Sequence, residues 1–412
     1  MKFDGIPRFA EEKVRKLLLS FPVVAIIGAR QVGKTTLAKK IGSDWKYFDL
    51  EDDGDFDLLS YDPKFFFSQY PEKVILDEAQ EYPALFRTLR GVVDQNPKWK
   101  GRFLLTGSSS PDLLKNLSES LAGRVAIVEL GTLKAREYYQ KPISPFYHLF
   151  EQKLDPENLP KEPPDLTISH MQKVWLRGGY PEPLLEGEEV FYNQWMENYR
   201  QTYLNRDIAK LFPRLNRVAY RRFLSMLCQL SGTIINRSEL GRAVEVGEST
   251  IRDYLDIAEG TFLFRVVSSF ERKIEKAVTK MPKGYIRDSG LLHYLLKLGD
   301  IESLLGHPIV GKSFEGFILD EISKGLHATM VTNWQCGYYR TVKKGEIDLI
   351  IDGPFGTLPI EIKRGEKIDR RKLKTLSSFV EEHHLPFGLL INQSEAPGWI
   401  SKTIYQLPVG WI

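Results

Sequence analysis

The stretch Val23–Leu37 limits what this chain can fold into more than any other. It begins as a run of β-branched and small apolar residues, the pattern of a buried strand, turns at Gly28, and resumes as a helical pattern from Thr35. Gly28, Gly33, Lys34 and Thr35 match G-x-x-x-x-G-K-[ST] without gap or substitution. The spacing has a physical cause. A glycine at each end lets the backbone wrap a phosphate with its N–H groups turned inward, and the helix N-terminus adds partial positive charge. Gly28, Ala29, Arg30, Gln31, Val32, Gly33, Lys34, Thr35 and Thr36 are therefore expected to cradle a nucleotide. Lys34 should reach the β- and γ-phosphates, and the Thr35 hydroxyl should ligate Mg²⁺. The alternative, a glycine-rich turn matched by chance, is disfavoured by the full match between an apolar strand and a helix.

Lys73-Val-Ile-Leu-Asp-Glu-Ala-Gln80 follows, with three apolar residues leading into Asp77-Glu78. This is a Walker B pattern. Asp77, at the carboxyl end of the strand, should hold Mg²⁺ through water, and Glu78 should polarise the water that attacks the γ-phosphate. An Asp-Glu pair by itself equally starts a surface helix; its position downstream of the loop gives it weight. Phe103–Ser109 reads as another strand ending in small polar residues. In P-loop ATPases with a strand inserted between the two Walker strands, a polar side chain there touches the γ-phosphate or the lytic water. Thr106 or Ser108 is open to that role, and equally to strand capping. Arg124, before the strand Val125–Leu130, is a candidate phosphate contact in cis, a finger in trans, or a surface arginine. No Asn-Lys-x-Asp or Thr-Lys-x-Asp follows, which favours ATP over GTP.

At 412 residues the chain should hold two or three domains. Its 42% hydrophobic and 27% charged residues are those of a soluble globular protein, and a net charge of +3 leaves any basic face local. The two cysteines, Cys228 and Cys336, lack CxxC spacing, which argues for a reducing compartment and against structural zinc. The N-terminus carries no signal-peptide core and no apolar run approaches ~18 residues, so a cytoplasmic protein with no membrane partner is expected.

Residues 1–140 form the expected P-loop domain, with an amphipathic helix at 8–20, a strand at 45–50 and an acidic loop at 51–57. Residues 141–210 read as a helical connection or lid, opened by the proline-rich 141–165 and continued by helices at 167–176 and 189–210. Tyr199, Tyr203 and Arg206 share one face of the latter helix. Residues 211–280 begin with a helix at 216–230 and have the layout of a winged helix-turn-helix. Asn236 and Glu239 form a capping box, Gly247 sits in the turn, Ser249 caps the second helix and Thr261–Val267 is a wing strand. A DNA reader would present Thr250, Arg252 and Asp253 to the groove, yet that helix is not notably basic, so packing or protein contact is equally open.

Residues 281–412 hold a second constellation. A helix over 311–323 carries Glu315. Strands over 337–342 and 346–351, joined by Lys343-Lys344-Gly345, carry Glu346 and Asp348 on one face, and a strand over 357–363 carries Glu361 and Lys363 on one face. A surface strand of alternating charge is the plain alternative. The stretch Glu361–Lys374 is locally basic, as a phosphate-tracking surface would be, and 387–391 adds a further strand. The order carboxylate, carboxylate, Glu-x-Lys on this scaffold resembles the PD-(D/E)XK nuclease family, especially its Holliday-junction-resolvase-like branch. That resemblance implies Asp348 and Glu361 as Mg²⁺ ligands, Glu315 as an additional ligand, and Lys363 orienting or deprotonating the attacking water.

The whole chain resembles the prokaryotic AAA+-related ATPases that join a P-loop domain to a C-terminal domain of unknown function. The matching residues are the loop at 28–35, Leu-Asp-Glu at 76–78, Leu-Thr-Gly-Ser-Ser at 105–109 and Leu-Ala-Gly-Arg at 121–124. Tyr-Leu-Asn-Arg-Asp at 203–207, Lys-Gly-Tyr-Ile-Arg-Asp-Ser-Gly-Leu-Leu at 283–292 and the nuclease-like end complete the match. The resemblance implies an α/β fold: an AAA+-like parallel sheet with helices on both faces, a winged-helix middle and a nuclease-like end. The expectation is an ATP- and Mg²⁺-dependent ATPase, open to homo-oligomeric assembly, whose nucleotide state controls cleavage of branched or duplex DNA. The alternative is a nucleotide-gated switch that binds DNA or protein without cutting.

Overall fold

The computed structural model describes residues 5–108, 117, 119–208, 212, 215–270, 281–341, 345–366 and 373–412. Ser109, the Arg206 side chain, the Lys343-Lys344 turn and residues 367–372 of the basic stretch lie outside the described residues.

The first sheet is made of β1 (Val23–Gly28), β2 (Lys46–Asp49), β3 (Val74–Asp77), β4 (Phe103–Ser108) and β5 (Val125–Glu129). All its pairings are parallel, in the order β2-β3-β4-β1-β5, which is a P-loop NTPase-like fold with β4 inserted between the strands of the two Walker motifs. Its strands read as continuous apolar runs because both faces are buried. Val23, Ala25 and Ile27 of β1 enter one core, with Phe66, Leu89 and Phe103. Val24 and Ile26 enter the other, which runs on without a break into Tyr180, Trp195, Phe223 and Leu227 of the middle region. The helical middle is thus seated on one face of the ATPase sheet.

Several expectations change in the structure. The acidic 51–57 is no loop: Asp52 caps a helix, Asp53–Tyr61, by accepting hydrogen bonds from the Gly54 and Asp55 amides, and acids favour a helix N-terminus. The proline-rich 141–165 is no free linker either. Phe146, Tyr147, Leu149 and Phe150 are buried in the C-terminal core, and the Leu154 amide donates to the Phe355 carbonyl at 3.0 Å. Short 3-10 turns at Pro145–Phe150 and Pro156–Asn158 accommodate the prolines at their first positions. Beyond Glu189–Tyr199 the helix continues in wider π turns, Arg200–Asp207.

In the middle, Arg237–Val244 and Glu248–Gly260 are two successive helices separated by a short turn. Asn236 caps the first by accepting from the Ser238 and Glu239 amides. Gly247 itself is the cap position of the second, so Ser249 lies inside the first turn and makes no cap bond.

A second, mixed sheet holds β6 (Thr233–Ile234), β7 (Phe264–Ser269), β8 (Lys283–Ile286), β9 (Gln335–Arg340), β10 (Glu346–Gly353), β11 (Gly356–Ile362), β12 (Gly388–Asn392), β13 (Gly398–Trp399) and β14 (Ile404–Pro408). The order is β13-β14-β12-β11-β10-β9-β7-β8-β6. β8 pairs antiparallel with β6 and β7, and β7 pairs parallel with β9, so the division expected at 280–281 runs through one continuous sheet. The helix Val310–Ala328 is buried over most of its length against this sheet and against β5 of the first. Among the described residues, no helix is long and apolar enough to cross a membrane.

Candidate functional site

Parallel strands end on the same edge, and in open α/β sheets ligands bind along that carboxyl edge where the strand order reverses. Gly28 of β1 lies opposite Ser108 of β4, and Asp77 of β3 lies opposite Asp49 of β2. The loop, Asp77, Glu78, Thr106 and Ser108 therefore meet. Gly28 is required by crowding, since a Cβ there would stand 2.1 Å from the Leu130 carbonyl oxygen. Gly33 is required by its backbone, at φ 93°.

Lys34 is buried, and its ammonium donates to the carbonyls of Ala29 at 3.0 Å and Gly28 at 3.2 Å. Burial lowers its pKa, and the charges of Glu78 and Asp77 oppose that. The Thr35 hydroxyl donates to Asp77 Oδ2 at 2.8 Å, and Asp77 also accepts from the Tyr47 hydroxyl at 2.7 Å and from Thr106. Glu78 accepts from the Ser108 amide at 3.0 Å, the Ser108 hydroxyl at 2.9 Å and Gln80 Nε2 at 2.7 Å. Burial raises its pKa, but the Lys34 charge and these donors outweigh burial and hold the carboxyl below its usual range. Thr106 is committed to Asp77 and Ser108 to Glu78.

Residues 30–36 of the predicted cradle line a cleft of about 480 Å³ together with Glu78; Ile6, Leu133, Pro181 and Leu185 form its apolar side. Gly28 and Ala29 lie behind it as the carbonyl partners of Lys34. The Thr35 hydroxyl beside the Asp77 carboxylate offers the hard oxygen donors Mg²⁺ prefers, so these residues fit that ion. Sequence reasoning missed Arg8. Its guanidinium donates to the Val32 carbonyl at 2.7 Å and the Gly131 carbonyl at 2.7 Å and pairs with Glu137 at 3.2 Å, clamping the loop to the segment after β5.

Arg124 is a correction. It precedes Val125, which lies opposite Val23 at the amino edge of the sheet, the end away from the loop. The length of β1 separates them, roughly 17–20 Å at ~3.3 Å per residue. Its guanidinium binds Asp94 at 2.5 and 3.0 Å, so it makes no phosphate contact in its own chain.

At the other end, Glu315, Glu346 and Asp348 bring one carboxylate oxygen each within 4.8 Å of one another. Glu361 stands beside them rather than among them. The Lys363 ammonium joins it to Asp348, at 2.5 Å from Glu361 Oε1 and 3.4 Å from Asp348 Oδ2. The Ile362 amide donates to Asp348 Oδ2 at 2.9 Å, while Glu361 Oε2 is buried without a hydrogen-bond partner. Burial first, then the Asp348 charge, push the Glu361 carboxyl up to about 8, opposed by Lys363. Burial and Asp348 also raise Glu315.

Two participants were not foreseen. Lys283 of β8, 2% exposed, sits 3.1 Å from Glu315 Oε1 and also pairs with Glu346. Tyr285 donates to Glu315. The available signal was a lysine inside the apolar Gly-Tyr-Ile strand pattern. Burial lowers the Lys283 pKa, but the surrounding carboxylates outweigh it and raise the ammonium above its usual value.

On the helix Glu248–Gly260, Arg252 and Asp253 are exposed and Thr250 is half-buried. Exposed Glu248, Asp253 and Asp256 outnumber Arg252, which opposes phosphate binding by that face.

A family profile described as an AAA domain matches residues 20–139, and two described as domains of unknown function, DUF8612 and DUF4143, match 168–302 and 310–412. Uncharacterized proteins of Mycobacterium tuberculosis and Mycobacterium bovis are each 35% identical over 362 residues, 87% of this chain and 74% of theirs. Among solved structures, the Walker-type ATPase of Pyrococcus abyssi aligns with 72% of this chain and 100% of its own at 17% identity and a TM-score of 0.42. The Holliday junction branch migration motor RuvB of Thermotoga maritima aligns with 63% of this chain and 89% of its own at 16% identity and a TM-score of 0.30. The AAA match and the loop geometry make the first domain an AAA-type P-loop ATPase domain.

Proposed function

The chain belongs to one family with the uncharacterized mycobacterial proteins, and from its two sites we propose an ATPase whose nucleotide state governs a C-terminal PD-(D/E)XK-type phosphodiester site. In the first domain, backbone amides of residues 30–36 and the Lys34 ammonium grip the triphosphate, Thr35 and Asp77 hold Mg²⁺, and the Glu78 carboxylate takes the proton of the attacking water. Bound Mg²⁺ supplies charge neutralisation at the β- and γ-phosphates. Among the C-terminal residues, Asp348, Glu315 and, from beside them, Glu361 are the metal-holding carboxylates, and Lys363 orients the water. Branched or duplex DNA is the proposed substrate, the middle region a winged helix, and a homo-oligomer the proposed assembly.

One observation carries the link between the two sites: the helix Val310–Ala328 serves both. Glu315 near its start enters the carboxylate cluster. Later on the same helix, Glu321 accepts from the Ala135 amide at 3.0 Å and pairs with Lys134 at 3.5 Å, next to Glu137, which holds the Arg8 clamp. Asp320 lies 3.5–3.6 Å from Arg265 and Arg287, and Arg287 pairs with Glu129 of β5.

Phosphate release from ATP by the purified chain, lost in Lys34→Ala, tests the first half. Mg²⁺-dependent nicking of branched and duplex DNA, lost in Lys363→Ala, tests the second; equal, zero nicking by wild type and Lys363→Ala across several DNA structures overturns it. A second reading, a nucleotide-gated switch that does not cut, is favoured by the acidic face of Glu248–Gly260 and by the lysine already seated among the C-terminal carboxylates.

A further inference from the structure

Lys283 reaches the carboxylate cluster from outside the helix–strand–strand scaffold that carries it. Its strand, β8, belongs to the hairpin with β7 and pairs with β6 of the middle region, whereas the carboxylates come from the helix Val310–Ala328 and from β10. Its ammonium is directed at Glu315 and Glu346 and lies 5.3 Å from the Tyr338 ring centroid. With one oxygen from each of Glu315, Glu346 and Asp348 inside 4.8 Å, the acids span the space that one divalent cation with oxygen ligands at roughly 2.0–2.6 Å would bridge. A second feature points the same way. Glu361 Oε2 is buried and unpartnered, on a carboxylate joined to Asp348 through Lys363. The donors are all hard oxygens, which suits a divalent cation of the Mg²⁺ or Mn²⁺ kind.

We propose that Glu315, Glu346 and Asp348 form a divalent-cation site for which the buried Lys283 ammonium is the built-in competitor, so that metal enters as Lys283 leaves; Lys312, which also pairs with Glu315 at 2.8 Å, is half-exposed and free to swing into water. The reason is Coulombic. Two like charges a few ångströms apart inside a buried carboxylate cluster repel strongly, and each satisfies the same oxygens. Glu346 thereby joins the cation ligands, and a residue of the β7–β8 hairpin sets how tightly the C-terminal region takes up metal. The proposal rests on the metal-dependent reading of this region, but its test reads metal binding and not cleavage. DNA cutting can therefore fail while this inference stands, and the reverse.

The experiment is a Mn²⁺ titration of the nucleotide-free full chain, followed by electron paramagnetic resonance and by thermal unfolding. Lys283→Met is expected to bind one additional Mn²⁺ at least ten-fold more tightly than wild type. Its melting temperature should rise with Mn²⁺ while that of wild type stays level. Adding Glu346→Gln to Lys283→Met should abolish the gain, which separates this site from any Mn²⁺ held by Thr35 and Asp77. Lys283→Met with the wild-type Mn²⁺ affinity, or a gain untouched by Glu346→Gln, overturns the proposal. If Lys283→Met does not fold alone, recovery of folding in millimolar Mn²⁺ supports it and failure to recover overturns it.

Discussion

Glu78 stands in the left-handed backbone region at φ 51°, a conformation that costs a non-glycine residue about 1–3 kcal/mol. Its position is over-determined by three donors, the Ser108 amide, the Ser108 hydroxyl and Gln80, which aim the carboxylate along the edge where the loop lies. The strain therefore serves placement. Replacing the charge but not the shape isolates the chemistry: Glu78→Gln should bind an ATP analogue within a few-fold of wild type while phosphate release falls by about 10²-fold or more. Nucleotide titration and a phosphate-release assay check the two halves separately. An unchanged release rate would remove Glu78 from the role of base.

At the scale of elements, His293 joins three of them. It lies on the helix Ser289–Leu295, with Nδ1 3.0 Å from the Leu176 carbonyl at the end of Ile168–Arg177 and Nε2 2.6 Å from the Ser313 hydroxyl of Val310–Ala328. The Trp175 ring meets it edge-on at 6.0 Å between centroids, and His307 is an ionisable neighbour. Burial lowers its pKa to about 4, with the Leu176 carbonyl raising it and His307 lowering it. The sign follows. The unfolded histidine takes up its proton near pH 6.5 and the folded one does not until about 4, so the unfolded state binds more protons in between. Stability contributed by the neutral ring is complete above 6.5 and is lost as pH falls, by at most on the order of 3 kcal/mol. Melting temperatures between pH 7 and 4 should fall less steeply in His293→Gln than in wild type; identical slopes would show that this histidine does not govern acid sensitivity.

Across the whole molecule, the loop and the C-terminal carboxylates are joined through buried charge. Arg8 holds Val32, Gly131 and Glu137; Lys134 and the Ala135 amide hold Glu321; Glu321 lies on the helix that bears Glu315. Removing one charge from a buried pair costs about 3–5 kcal/mol, so any neutral residue at Glu321, which also pairs with Lys324 at 3.0 Å, lowers stability, and the comparison is made well below the melting temperature. Glu321→Gln keeps an acceptor for the Ala135 amide and removes the charge beside Lys134. ATP turnover is expected to stay within two-fold of wild type. The change in hydrogen-exchange protection that an ATP analogue produces along Val310–Ala328 should shrink, and an undiminished change would mean the coupling runs elsewhere.

What could be read from the chain alone is whatever depends on neighbours along it. The phosphate loop, the Asp-Glu pair after a buried strand, the Asn236 cap and the common face of Glu361 and Lys363 follow from backbone geometry over a few residues, and they stand in the structure where they were expected. Arg124 shows the limit. Its approach to phosphate depended on which edge of the sheet β5 begins from, a property of strand direction that no local spacing encodes. Arg8 and Lys283 show the converse. Neither names its partners in sequence, and each acquires its role because folding sets it against carbonyls or carboxylates far along the chain, in surroundings dry enough for one charge to count.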